Sequence, residues 1–268
     1  MSASTPAPRP LRLSLNPDPR LWYNRPKGGI RMFLSVLGVN GPFPAAGGAC
    51  SGYLVESDGG DTKLLLDCGT GALSRLLKLT PIEALSGVVL SHLHFDHMSD
   101  MLPMLYALQL SARRYPLPVF APERPERVRA LLESPHCDLF SHSDITLQET
   151  RISFVPAVHT VESSCVSVEC DGRRLVFTGD TNENPALALF ADGCDLLLAD
   201  AGFLAADWTP KAPHLSALLC GELASSVRAG ALLLTHLNPK YDPQALLKEA
   251  RAACPRAEIA VPGKRYRV

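Results

Sequence analysis

No C-x-x-C pair occurs among the eight cysteines at 50, 68, 137, 165, 170, 194, 220 and 254. Their spacing argues against a thiolate zinc knuckle or a redox dithiol, and they read as small buried hydrophobes in a reducing cytosol. No apolar run approaches the roughly 20 residues that cross a bilayer, so no membrane partner is expected. Net charge is also nearly missing: the formal value is −1, too little to advertise a polyanion partner, although local basic patches stay open. The sequence has no fixed-period repeat and, beyond its start, no low-complexity tract. Residues 1–31 contain six prolines and several arginines but no apolar h-region of the kind a secretory signal needs.

What is present is apolar mass for a single large domain, with 46% hydrophobic residues in a chain of 268. Met32 is followed at once by the strand-like run Phe33–Gly38, which reads as an internal start. We therefore divide the chain into a proline-rich extension, 1–31, and a catalytic domain, 32–268. Within the domain, short apolar runs alternate with helical patterns. The runs ending at Asp67, His92, Asp180, Asp200 and His236 read as buried strands, and each delivers an Asp or His at its C-terminal end. Helices are expected after Gly69, over Phe95 to Ala112, over Glu123 to Glu133, from Pro185, over Leu215 to Arg228 and over Pro243 to Ala253. A hairpin is expected through Asp171-Gly172.

The densest chemistry lies in His92-Leu93-His94-Phe95-Asp96-His97. Imidazole nitrogen and carboxylate oxygen are the ligands zinc prefers at catalytic sites. On an extended strand end His92 and His94 point to one side and reach one metal. If a helix follows, Asp96 and His97 face a second metal a few ångströms away. Three histidines and an aspartate this close would be costly to bury without a cation. His136 and His142 flank a loop at Pro135 and read as surface residues, and Gly41-Pro42 with Gly47-Gly48 reads as a loop over the site.

In these motifs the chain resembles the metallo-β-lactamase superfamily, whose motifs cover most of residues 33–240 in the expected order. The aspartate motif looks like Leu66-Asp67-Cys68-Gly69, the next is the His92–His97 run, and the others look like Val158-His159, Gly179-Asp180-Thr181 and Thr235-His236. The resemblance implies an α/β fold, an αββα sandwich of two mixed sheets flanked by helices. It places His92, His94 and His159 on a first zinc and Asp96, His97 and His236 on a second, with Asp180 bridging them. Asp67 would orient ligands by hydrogen bonding. Two Zn2+ are implied, with Mn2+ or Fe able to use similar ligands.

Closer still is the ribonuclease Z group and its short uncharacterised relatives. Ala199-Asp200-Ala201-Gly202, Pro213-His214-Leu215-Ser216 and Thr235-His236-Leu237-Asn238-Pro239-Lys240-Tyr241 resemble that group's local patterns. By analogy His214, oriented by Asp200, would stabilise charge or protonate a leaving oxygen, and Asp96 would help hold the hydroxide. Aspartate at 180, where the familiar zinc β-lactamases have cysteine, disfavours antibiotic hydrolysis. Only 20 residues separate His159 from Asp180, leaving no room for the long basic arm with which ribonuclease Z grips tRNA. The expectation is a cytoplasmic dinuclear zinc hydrolase with a metal-bridging hydroxide, acting on a phosphodiester in a small-molecule or short nucleotide substrate. The alternatives are a thioester or lactone hydrolase, a tRNA 3'-end endonuclease, or, in a different class, an iron-dependent redox or non-catalytic zinc protein. A homodimer is an expectation by analogy alone.

Overall fold

The computed structural model describes residues 13–15 and 32–268. The strands run in chain order as β1 (Leu13–Leu15), β2 (Met32–Gly38), β3 (Gly52–Ser57), β4 (Lys63–Cys68), β5 (Gly87–Val89), β6 (Leu117–Phe120) and β7 (Cys137–Phe140). They continue as β8 (Ile145–Leu147), β9 (Thr150–Pro156), β10 (Ser164–Cys170), β11 (Arg173–Phe177), β12 (Leu196–Asp200), β13 (Ala231–Thr235), β14 (Ala257–Ile259) and β15 (Arg265–Arg267). The helices are α1 (Ala72–Leu76), α2 (Phe95–Met98), α3 (Met101–Leu110), α4 (Glu126–Arg129), α5 (Pro185–Ala191), α6 (Ala217–Ser226) and α7 (Pro243–Ala253).

Two mixed sheets form the framework. One has the order β15-β2-β3-β4-β5-β6-β7, and the other β1-β8-β9-β10-β11-β12-β13-β14. Alternation along the strands shows how they stack. In β4, Leu64 and Leu66 join the apolar cluster shared with β10 to β13, whereas Leu65 joins the cluster formed with α1 and α3. Successive residues of a strand point to opposite faces, so β4 is packed on both sides. In β3, likewise, Tyr53 and Val55 face the other sheet and Leu54 faces the helices. This is the expected αββα layering. No helix among the described residues is long and apolar enough to cross a membrane.

The strands β4, β5, β6 and β7 are parallel neighbours, as are β11, β12, β13 and β14. Parallel strands end at the same sheet edge, where loops can gather functional side chains. Of the extension, Leu13–Leu15 is paired antiparallel with β8, Leu13 opposite Leu147. The rest of 1–31 lies outside the described residues.

Four element boundaries expected from sequence need correction, one being the run to Asp180, which is strand only to Phe177. The run to His92 is strand only to Val89, because the backbone N–H and hydroxyl of Ser91 donate to Asp67 at 2.6 and 2.8 Å. His92 then pairs as an isolated bridge with Ser163, the residue before β10. The helix expected over Phe95 to Ala112 is two helices. Between them the Asp100 backbone N–H donates to the Cys68 carbonyl at 3.0 Å, and its carboxylate accepts from the Leu73 N–H at 2.9 Å. The helix expected from Glu123 starts only at Glu126, since Arg124 precedes a proline and is disfavoured in helical geometry.

Candidate metal centre

Each sheet delivers half of the site. From the first, Asp67 is the next-to-last residue of β4, and the segment after β5 carries His92 and His94 before α2 presents Asp96 and His97. From the second come His159 after β9, Asp180 after β11 and His236 after β13. Asp67 and His236 both have left-handed backbones, with φ 54° and 51°. Non-glycine residues seldom adopt this conformation, and it concentrates at functional sites. Gly179, at φ 56°, makes the corresponding turn before Asp180. It also packs so closely that a Cβ there would lie 3.0 Å from the Ser164 carbonyl oxygen.

The side chains converge in three groups linked through Asp180 and His236, one of them Asp180, Asp200, His214 and His236. His92, His94, His159 and Asp180 bring ligand atoms within 4.8 Å of one another, and so do Asp96, His97 and His236. Asp180 lies between them. Its Oδ2 is 3.5 Å from His92 Nε2 and 3.3 Å from His236 Nε2, while Oδ1 is 3.3 Å from His97 Nε2. Asp96 Oδ2 is 3.1 Å from His236 Nε2 and 3.5 Å from His97 Nε2.

The outward ring nitrogens fix what faces inward. His159 Nδ1 lies 2.9 Å from the carbonyl of Pro213, an acceptor only, so Nδ1 carries the hydrogen and Nε2 presents a lone pair. His97 Nδ1 donates to Asp67 at 2.7 Å, which turns its Nε2 inward in the same way. His94 Nδ1 meets His92 Nε2 at 3.0 Å and His159 Nε2 at 3.1 Å. Three nitrogens facing one another at this distance cannot all be satisfied by hydrogen bonds. Moreover, the buried atoms His97 Nε2 and Asp180 Oδ1 have no hydrogen-bond partner among the described residues. A bound cation satisfies such a donor set, and the chemistry is that of zinc sites. The residues present therefore fit the metals implied by the sequence.

Electrostatics agree with that arrangement. Burial and the neighbouring His97 hold His92 well below its ordinary pKa. Burial would lower His97 as well, but Asp180 and Asp67 outweigh it and raise His97 well above its ordinary value. The proton so favoured occupies the place a cation would take. Burial pushes the Asp180 carboxyl upward, yet His236, His97 and His92 reverse this and hold it well below the usual range.

Beside the cluster, the fully buried Asp200 accepts from His214 Nδ1 at 2.8 Å through Oδ2. The same oxygen accepts from the Thr181 N–H at 3.2 Å. His214 is 3.7 Å from Asp180, and its ring stacks on His236 at 4.8 Å between centroids. Gly41 comes against His236 from the other side: a Cβ at 41 would lie 1.8 Å from Nε2.

A β-lactamase superfamily domain matches residues 62–237. The chain belongs to the metallo-β-lactamase superfamily. Over 228 residues it is 33% identical to the probable metallo-hydrolase YhfI of Bacillus subtilis, covering 82% of this chain and 93% of that protein. The crystal structure of YhfI matches with a TM-score of 0.84 at 31% identity, covering 90% of this chain and 100% of the other. The mitochondrial ribonuclease Z 2 of Schizosaccharomyces pombe is 30% identical over 236 residues, 78% of this chain but 34% of that protein. The short form of human tRNase Z shares the fold, with a TM-score of 0.70 at 17% identity over 87% of this chain and 98% of the other. The chain is a metal-dependent hydrolase of this superfamily with ribonuclease Z-like relatives.

As a superfamily member, the chain gathers at one edge of its sandwich every residue singled out from sequence: the seven ligand candidates, Asp67, Asp200 and His214. Two histidines stand apart. His136 is half-buried, and His142 is not the surface residue expected. Its Nε2 donates to the Leu90 carbonyl at 3.0 Å, its Nδ1 lies 2.9 Å from Ser164 Oγ, and its ring stacks on Phe154. Burial pushes its pKa down to about 4. Sequence reasoning also missed Ser91, which shares Asp67 with His97, and the polar side chain of Asn182. Adjacency to His92 and Asp180 was the available signal for each.

Proposed function

We propose that this hydrolase is a dinuclear zinc-dependent phosphodiesterase acting on small or short nucleotide substrates. The observation that carries the reading is Asp180 set between two ligand groups, His92-His94-His159 and Asp96-His97-His236, with His214 at their border. When bound there, two zinc ions would supply a hydroxide at neutral pH and neutralise the charge of a diester. The chain's own residues do the rest. Asp67 holds His97 and Asp200 holds His214, each through the Nδ1 hydrogen. With Nδ1 committed, His214 Nε2 is the nitrogen left to hand a proton to a leaving oxygen. The ring is 14% exposed, so substrate can reach it.

The short hairpin β10–β11 fills the interval between His159 and Asp180, which supports a small substrate over folded tRNA, whose binding draws on clustered Lys and Arg. Eight unpaired buried cysteines fit a reducing compartment such as the cytosol. The test is metal analysis with a substrate panel. Purified protein should carry about two equivalents of zinc, hydrolyse bis(p-nitrophenyl) phosphate in a metal-dependent way and leave precursor tRNA largely intact. Asp180→Ala should weaken both metal positions. A protein that ignores diesters but turns over a thioester or a lactone, or that carries iron, would overturn the phosphodiesterase reading.

A further inference from the structure

Asn182 lies two residues beyond Asp180 and is 3% exposed. Its side-chain amide donates to the carbonyls of Ala212 at 2.7 Å and Pro210 at 3.2 Å. Its Oδ1 accepts from the Trp208 indole N–H at 3.1 Å and from the Glu183 backbone N–H at 2.7 Å. Both amide hydrogens and both lone pairs are thus in use, the full capacity of an asparagine. Its backbone N–H donates to Val158, the residue before His159, at 2.8 Å.

All the long-range side-chain bonds of Asn182 go to one segment, Trp208 to His214. That segment is neither helix nor strand, so no ladder holds its carbonyls. Four of them find partners near the site. Pro210 and Ala212 are taken by Asn182, Pro213 by His159 Nδ1 at 2.9 Å, and His214 by the Trp208 indole at 3.1 Å. The carbonyl that fixes the His159 tautomer and the backbone that carries His214 are adjacent residues of one strap. The Asn182 amide takes two of those four carbonyls and also accepts from the Trp208 indole.

We propose that Asn182 is a positioning residue acting through this strap on His159 and His214 together. The inference rests on reading His159 as a metal ligand and His214 as a proton donor. A partner that holds a ligand histidine contributes about 10- to 100-fold in metal affinity or activity. Here one residue would hold two groups that lie 55 positions apart in sequence, counting from 159 to 214. Asn182 itself touches neither the metal ligand atoms nor, in this role, substrate.

The test uses Asn182→Asp and Trp208→Phe in the full chain. Asn182→Asp keeps size and the acceptor for Trp208 but removes both donors to the strap; Trp208→Phe keeps an aromatic ring but loses the indole N–H. Folding is checked by circular dichroism and thermal melting, and Trp208→Phe carries the test if Asn182→Asp does not fold. In competition with a chromophoric chelator, one of two zinc equivalents should bind about 10-fold more weakly, while the other is unchanged. With bis(p-nitrophenyl) phosphate, kcat should fall about 10- to 100-fold. In a His214→Ala background assayed at saturating zinc, the same change should cost less kcat than in the parent, because the part of the loss that runs through His214 is already gone. Equal weakening of both zinc equivalents or of neither, or a kcat loss that adds in full to that of His214→Ala, overturns the proposal. If His214→Ala alone leaves kcat unchanged, the proton-donor reading fails. The chelator competition then decides the strap by itself.

Discussion

Asp200 faces two histidines at once: Oδ2 accepts from His214 Nδ1 at 2.8 Å, and Oδ1 lies 3.3 Å from His236 Nδ1. Neither member of the second pair has another partner among the described residues. Asp200 therefore aligns a candidate metal ligand as well as the candidate donor that resemblance alone had paired with it. Asp200→Asn should accordingly cost more than His214→Ala. We expect turnover of a model diester to fall by about 100-fold and zinc binding by about 10-fold, whereas His214→Ala should leave metal content intact. Parallel measurement of kcat and zinc affinity checks this; equal zinc affinity in the two variants would confine Asp200 to His214.

Gly41 tests how tightly the second ligand set is built. An alanine methyl at 41 would fall 1.8 Å from His236 Nε2 and 2.2 Å from Cε1, far inside van der Waals contact. His236 is 2% exposed and has no free space to swing into, since interiors are close-packed. Gly41→Ala should lose one metal equivalent, retain the His92-His94-His159 position and lower activity by on the order of 100-fold. Two full equivalents with normal turnover in this variant would show that the loop moves instead of the histidine.

His142 predicts a pH effect on stability. Its pKa falls from 6.5 in a free histidine to about 4 in the fold, so between these values the unfolded chain binds a proton that the folded chain refuses. Stability should therefore drop as pH falls from 6.5 towards 4 and then level off, by on the order of 3 kcal/mol. In denaturant melts of chelator-treated protein, His142→Gln should lose less stability over this window than the parent. Identical slopes for the two proteins would remove His142 as the cause.

The extension makes a weaker claim on the fold. Its strand Leu13–Leu15 pairs with β8, itself three residues long, at the edge of a sheet. Short edge pairings contribute little, although they cover open N–H and C=O groups. A chain beginning at Met32 should fold and keep most of its activity, as read by thermal melting and diester turnover. Loss of soluble protein on this truncation would show that the extension is needed to protect the sheet.

What could be read in the sequence follows from how local each signal is. Asp67, Asp180, Asp200 and His236 each close an apolar run, and His92 to His97 is contiguous, so strand pattern and ligand chemistry coincide within a few residues. The buried strands were legible for the same reason, through continuous apolar runs, whereas the αββα layering came from the family resemblance. The exact end of β5 was not legible: Ser91 leaves the strand to serve Asp67, 24 residues earlier. His142 was misjudged because its partners, Leu90 and Ser164, are 52 and 22 positions away. Asn182 shows the same limit, since nothing near it in sequence tells that its amide is bound to carbonyls 28 and 30 residues on.

The division of ligands between the sheets has a consequence for assembly. His92, His94, Asp96 and His97 come from one sheet and His159, Asp180 and His236 from the other, so neither half offers a complete site until the two have docked. A cation that binds only the docked state acts as a rivet whose strength depends on its free concentration. At a hundred times its dissociation constant, each such ion adds about 2.7 kcal/mol to the folded state. The availability of metal in the cell would thus govern how long the two halves stay joined as well as how fast the joined protein turns over.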